Sequence, residues 1–398
     1  MFELDSLSLF PATPEQTIKA RLQAAEEWGN EMSAEEFLER DAFIAQCEVA
    51  TNGRMRQWIL APRNAPETLD FLCSCLTFRR EAVVVLKSST DNILDLASQE
   101  VTGYGVAGVV TPVRNRGNGY ARHMMRLLHW IIASRDLLPS VFPEEWGAPP
   151  PATEGFGDGR FSVLWTDVGE KFYRGCGTLP GTSDGWTVAP YSTIVWDLHE
   201  RRKSVHGPSL FWSWLDEIAV SEHWKADSQM IQEDLLSTAK SLSVSNEHIV
   251  FAFLPSKGLA EFPHKRAQLF WQKLSPSTLH WGIALKDSEP AGKIGKTFAS
   301  WTLELYPGAP KTLFITRLRA QEHDFEDLMR AVIKYAEDIG MQSIEVWNLS
   351  SEFQNTAKHL GAKAVQRADT VPAFKWYGAE SSYEVNWLAN EKFCWCAS

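Results

Sequence analysis

Apolar and polar positions along the chain switch between strand and helix periods. Leu7–Phe10 is a short apolar run that predicts a strand, and Thr13 or Pro14 opens a helix to about Trp28, where Gly29 stops it. Ser33-Ala34-Glu35-Glu36 carries a capping-box signature and starts a second helix ending near Cys47. Extended segments follow at Gln57–Ala61, Leu72–Phe78, Ala82–Lys87 and Tyr104–Thr111, the last closed by Pro112. From Gly119 to about Arg135, Ala121, Met124, Leu128, Ile131 and Ile132 recur on one face, the mark of an amphipathic helix. Leu137–Arg160 is Pro/Gly-rich and reads as a loop. Phe161–Trp165 reads as a buried strand, Gly169–Arg174 as a short helix and Trp186–Leu198 as strands.

The second half repeats this order loosely. Helices are expected at Asp227–Lys240 and His264–Lys273, and extended runs at His280–Leu285, Phe298–Leu305 and Leu313–Leu318. Asp324 is expected to cap a helix through Ile339, stopped by Gly340; a strand at Ser343–Trp347, a helix at Glu352–Leu360 stopped by Gly361, and further strands complete the chain. The shared pattern predicts two related α/β (α+β) folds in tandem, residues 1–200 and 201–398, with a boundary near Glu200–Ser209.

Length (398 residues) suits such a pair, and 44% hydrophobic with 22% charged residues excludes disordered and fibrous classes. A net charge of -11 argues against nucleic acid or an anionic membrane as partner and leaves room for a cationic substrate. No apolar stretch has the length of a membrane span, and MFELDSLSLF has acids where a signal peptide needs a basic region. The six cysteines form no dense disulfide framework, so a reduced, cytoplasmic location is expected. The 17 tryptophans suit cores and cleft walls.

Three glycine patterns compete for chemistry. Gly103-Tyr-Gly105-Val-Ala-Gly108 has dinucleotide spacing but runs into Val109-Val110-Thr111-Pro112, so its glycines lie inside a strand, where they admit close neighbours. Gly181-Thr-Ser183-Asp-Gly185 imitates a nucleophile elbow, yet Pro180 precedes it and an extended segment follows, so it reads as a turn. Arg114-Asn-Arg-Gly117-Asn-Gly119 sits between a strand and an amphipathic helix. There two glycines let consecutive backbone N–H groups close on a pyrophosphate at the positive helix end. Arg114, Arg116 and Arg122 add charge for further phosphates, and the lysine of a P-loop is missing.

Val109–His123 resembles the acetyl-CoA loop of the GNAT N-acetyltransferase superfamily. The stretch GYGVAGVVTPVRNRGNGYARHMMRLLHW, the insertion FPEEWGAPPP and FSVLWTDVGEKFYRGCG together are similar to the fungal lysine N-acetyltransferases. That resemblance implies an N-terminal GNAT domain, with a mixed and largely antiparallel central sheet flanked by helices, and a degenerate GNAT-like second domain. One departure stands at Leu164-Trp165-Thr166-Asp167, where the family is expected to carry Leu-Tyr-Ser-Asp.

The resemblance implies acetyl transfer from acetyl-CoA to an amine by direct attack in a ternary complex. Val109, Val110 and Thr111 would line the pantetheine, and the Val110 N–H would face the thioester oxygen. Arg114, Asn115, Arg116, Gly117, Asn118, Gly119, Tyr120 and Ala121 would hold the phosphates, and Tyr173 would protonate the leaving thiolate. A lysine ε-amine is only about 0.04% neutral at pH 7, a cost of roughly 4.6 kcal/mol that a base or desolvation must meet. Asp167 and Glu170 lie near the motif without declaring themselves as that base.

The expected acceptor is a small cationic amine, L-lysine or a lysine-like molecule. Residues 1–50 hold eleven Asp/Glu against three Lys/Arg, which would favour such an amine if the first helices border its cleft. A secondary-metabolite amine acetyltransferase and a non-catalytic CoA-binding regulator are the alternatives. In the second half Arg319-Ala-Gln-Glu-His323 has no glycine, so no CoA is expected there. No metal is expected: Cys73-Ser-Cys75 and Cys394-Trp-Cys396 lack CxxC spacing, and His123 and His129 do not share a helix face. Cys176 has no paired histidine in view to make it a nucleophile.

Overall fold

The computed structural model describes residues 2–29, 32–87, 96–199, 208–242, 247–271, 279–286, 296–306, 308–378, 380 and 383–397. Residues 200–207 of the expected boundary segment at Glu200–Ser209, and the end of the His264–Lys273 helix, residues 272 and 273, lie outside them.

The first half runs β1 (Leu7–Pro11), α1 (Pro14–Trp28), α2 (Ala34–Gln46), β2 (Met55–Pro62), β3 (Cys73–Lys87), β4 (Gln99–Val110), α3 (Tyr120–Ile132), β5 (Gly159–Thr166), α4 (Glu170–Arg174), β6 (Thr187–Val188) and β7 (Thr193–Asp197). The second half runs β8 (Trp212–Leu215), α5 (Glu217–Ser241), β9 (His248–Phe253), α6 (Phe262–Trp271), β10 (Gly282–Leu285), β11 (Phe298–Glu304), β12 (Thr312–Arg319), α7 (Glu322–Asp338), β13 (Ser343–Trp347), α8 (Ser351–His359), β14 (Ala362–Val365), β15 (Val371–Trp376) and β16 (Glu384–Trp387). No helix among the described residues is long and apolar enough to cross a membrane.

Helix starts follow their chemistry. Thr13 Oγ1 accepts from Gln16 N at 3.2 Å while Gln16 Oε1 accepts from Thr13 N at 2.9 Å, and Ser33 with Glu36 repeats the reciprocal pair. Asp324 is not the cap of α7: Gln321 holds that place, and the Asp324 carboxylate turns inward to accept from Thr297 Oγ1 at 3.0 Å. The α5 helix begins well before Asp227, capped by Asp216 on Ala219 N at 2.8 Å. Leu72–Phe78 and Ala82–Lys87 belong to one long strand. The charges between them do not break β3 because each finds a partner: Arg79 on Asp158, Arg80 on the Cys394 carbonyl, Glu81 on Ser256.

Two mixed sheets result, each largely antiparallel and flanked by helices, the α/β architecture the repeat predicts. In the first the order is β1-β2-β3-β4-β5-β15-β6, and β3 also pairs with β9, which β16 joins. In the second the order is β14-β7-β13-β12-β11-β10-β8. Each path has one parallel pair, β4 with β5 and β12 with β13. The halves trade strands: β15 from the second half lies against β5, and β7 from the first lies against β13. Helix α5 joins the two, its Val220, Trp224, Ile231, Leu235 and Ala239 buried in a core that draws on both sheets.

Candidate active site

The site begins where β4 parts from β5. Their parallel register runs from Thr102 against Gly159 to Val106 against Leu164 and goes no further, while on its other edge β5 stays paired with β15 through Trp165 and Thr166, against Pro372 and Val371. Immediately beyond, β4 bulges. Leu76 faces Ala107 and Ser74 faces Val110, which leaves Gly108 and Val109 opposite Cys75, with Gly108 at φ +58°. A bulge of this kind bends its strand and re-aims its backbone, so β4 leaves β5 with one edge open to a gap.

The other glycines inside β4 answer to close neighbours. A Cβ at Gly103 would meet Phe161 and Phe253 at 2.7 Å, and one at Gly105 would meet Arg80 Cζ at 2.9 Å and Cys396 Sγ at 3.0 Å. They admit close neighbours to the sheet.

From β4 the chain passes through Thr111–Gly119 into α3. Gly117 and Gly119 both have φ +80°, and a Cβ built at either meets nothing within 4 Å, so open space lies beside this backbone. The first N–H of α3 with a helical acceptor is that of His123, on Gly119 O at 3.0 Å; those ahead of it have no carbonyl one turn back. Asn118 Nδ2 holds the turn by donating to Asn115 O (3.1 Å) and Arg116 O (3.2 Å), and Asn115 Nδ2 reaches Leu72 O at 3.3 Å. Arg114 pairs with Asp70 and Arg116 with Glu27, both at the surface. Such pairs are worth at most about 1 kcal/mol, so an arriving phosphate can replace either carboxylate. The residues present thus fit a diphosphate, and the open strand edge fits the arm that follows it.

The other expected contacts differ in kind. Tyr120 is buried and its hydroxyl accepts from Phe2 N at 3.1 Å, so only its backbone faces the loop. The Val110 side chain packs with Ala24 and Phe37, while Val109 and Ala121 pack on the α3 core. Thr111 Oγ1 contacts Cys73 Sγ at 3.2 Å. Arg122 lies over the Phe172 ring at 5.9 Å.

Tyr173 is buried on α4, edge-on to Phe172 at 4.9 Å and to Trp186 at 6.1 Å, and its hydroxyl has no hydrogen-bond partner among the described residues. Burial first, then the Cys176, Cys73 and Asp167 groups, push this phenol well above the ordinary tyrosine range. The segment after α4 is pinned by His129, which stacks on Trp186 at 4.3 Å. His129 Nε2 reaches Cys176 O at 2.7 Å; a carbonyl only accepts, so Nε2 carries the hydrogen and Nδ1 accepts from Tyr377 Oη at 2.8 Å. Cys176 is buried, its Sγ on Phe172 O, and burial raises its thiol to about 12, the wrong direction for a nucleophile.

On the opposite face of the gap lies a cleft of about 380 Å³. Its walls are Ala107 and Gly108 of β4, Trp165 and Asp167 at the end of β5, Trp28, and a set from the second half: Arg266, Glu304, Tyr306, Asp369, Lys392 and Trp395. Of the acid-rich first helices only Trp28 reaches this wall; its carboxylates come from β5 and the second half. That second-half set was missed in the sequence, because no local motif links positions scattered from Arg266 to Trp395.

The second sheet lacks the loop. After β12 only Ala320 and Gln321 precede α7, whose first turn carries Glu322 and Asp324. The Cys-x-Cys pairs do not meet: Cys73 and Cys75 lie in the α3 core, Cys394 in the large shared core and Cys396 beside β4.

No curated protein matches the chain. Among solved structures, a probable N-acyltransferase from Enterococcus faecalis superposes with a TM-score of 0.51 at 10% identity, covering 94% of this chain and 72% of that one. A GCN5-related N-acetyltransferase from Kribbella flavida gives a TM-score of 0.48 at 14% identity, over 93% of this chain and 71% of that one. At such identities the likeness to the first is one of fold alone. Residues 197–396, half of the chain, match the family model for the LYC1 GNAT-like C-terminal domain, and the chain belongs to that family.

Proposed function

We propose that this protein transfers acetyl from acetyl-CoA to the amine of L-lysine or a lysine-like small molecule, by direct attack while both are bound. One observation carries the reading: the bulged edge of β4, open past Val106, leads straight into a diglycine turn at the start of α3. Acetyl-CoA, when bound, supplies an activated thioester carbonyl. The Gly117–Ala121 backbone and the α3 N-terminus hold the diphosphate. The open N–H groups of β4 near Val110 stabilise negative charge on the carbonyl oxygen. Tyr173, kept neutral by burial, presents its O–H to the departing sulfur. Trp165 narrows the mouth and, with Asp167, receives the amine from the cleft side.

The test is release of free CoA thiol from acetyl-CoA with a panel of amines, L-lysine included. Release with lysine and not with unrelated amines supports the proposal. Binding of CoA without release for any amine would leave a CoA-binding protein and no enzyme.

A further inference from the structure

Three buried side chains and a carbonyl form one hydrogen-bonded line from the first sheet to the segment behind Tyr173. Ser162 of β5, Tyr377 just past β15 and His129 of α3 are each at most 1% exposed. Ser162 Oγ lies 2.9 Å from Tyr377 Oη, Tyr377 Oη 2.8 Å from His129 Nδ1, and His129 Nε2 2.7 Å from Cys176 O. The Cys176 carbonyl can only accept, and burial first, then Lys375, lowers His129 to about 3, so the ring is neutral. Every donor in the line is thereby fixed: Ser162 gives to Tyr377, Tyr377 to His129, and His129 to Cys176. Tyr377 is itself held to β5, its N–H donating to Arg160 O at 3.0 Å.

The line ends on the turn that carries Tyr173. Helix α4 has only five residues, too few to hold its place by its own hydrogen bonds. Its exit is tied instead: Cys176 N and Trp186 N both donate to the Tyr173 carbonyl, at 3.1 and 3.2 Å. Gly185 permits that approach, since a Cβ there would strike the same carbonyl. Trp186 links the two rings, stacked on His129 at 4.3 Å and edge-on to Tyr173 at 6.1 Å.

We infer that Tyr377, a residue of the second half, is a positioning residue for Tyr173, acting through His129 and the Cys176 carbonyl. The inference rests on the acetyltransferase reading, with Tyr173 as the acid, and deepens it: the second half, which has no phosphate loop of its own, serves the chemistry of the first.

The experiment is a double-mutant cycle, read as kcat for thiol release from acetyl-CoA with the amine that the unaltered protein accepts best. Tyr377→Phe keeps the ring and removes the hydroxyl. It should lower kcat about 10-fold, the scale of one lost hydrogen bond, with the KM for acetyl-CoA held within about twofold. In the Tyr173→Phe background the same change should leave kcat within about twofold, because the hydroxyl it positions is already gone. A mere loss of folded protein would lower both backgrounds equally. Ser162→Ala removes only the first donor of the line and leaves Tyr377 whole; it should give about a 3-fold loss that vanishes in the same background. Unchanged kcat in both single variants, or an equal loss in both backgrounds, overturns the positioning role and leaves the acetyltransferase reading intact. Unaltered turnover in Tyr173→Phe removes the acid and the positioning with it, while thiol release by the unaltered protein keeps the transferase. No release with any amine overturns that reading and everything resting on it.

Discussion

The Leu318 N–H donates to a Glu391 carboxylate oxygen at 2.9 Å, at the point where β12 leaves β13. Their parallel register ends at Ile315 against Val346, and β12 bulges there, with Trp301 facing Ile315 and Ser300 facing Arg317. This is the gap of the first sheet repeated, but the strand edge that would face a thioester is taken by the chain's own carboxylate. Glu391 also binds Arg317, itself held by Asp227 at 2.6 Å. Calorimetry with CoA should therefore find one site per chain; two would contradict this account.

The same contact predicts a stability effect. Glu391→Ala removes one partner of a buried pair while Asp227 remains on Arg317, so unfolding free energy should fall by about 2–3 kcal/mol. Urea titration measures it, and a loss under half a kcal/mol would mean the pair is idle.

Gly117 and Gly119 separate binding from folding. Alanine at either adopts φ +80° at a cost of roughly 1–2 kcal/mol without touching another protein atom. Its methyl would project into the space assigned to the diphosphate, so Gly119→Ala should weaken CoA at least 10-fold, well beyond its effect on Tm. Equal affinity for the variant would remove this loop from the cofactor site.

Tyr173→Phe takes away a hydroxyl with no partner among the described residues, so stability should barely change. If that hydroxyl serves the leaving sulfur, kcat should drop by about 100-fold with little change in the KM for acetyl-CoA. Unaltered turnover would disprove the role.

Acid should destabilise the fold through three buried histidines. Burial lowers His129 and His264 to about 3 and His123 to about 4, against 6.5 when unfolded. The unfolded chain therefore takes up protons that the native one refuses, and stability falls as pH drops below about 6.5. Each histidine contributes about 1.4 kcal/mol per pH unit. Denaturant titrations between pH 6 and 5 should register a stability that falls with pH, and His129→Gln should reduce that slope by about one proton. The same slope with and without His129 would show that it titrates normally.

Much of this was legible in the sequence because it is local. The helix start at Thr13, the capping box at Ser33, the stops at Gly340 and Gly361, both at positive φ, and the diglycine turn before α3 each depend on a few neighbouring residues. What escaped is long-range. The apolar run His248–Phe253 carries no period to mark it as a strand, yet it extends the first sheet beside β3. Arg80 looks like a strand break but is buried on the Cys394 carbonyl. Arg266, Tyr306 and Lys392 sit on separate elements, and only tertiary packing gathers them around the cleft.

The exchange of β7 and β15 fixes when this protein can become competent. Synthesis delivers β5 long before Val371, so the partly made chain holds one exposed strand edge awaiting a neighbour still to be translated, and β7 awaits its own. Such unpaired edges invite aggregation. Neither half completes its own sheet without a strand the other supplies, so the two sheets close only once both halves of the chain are present.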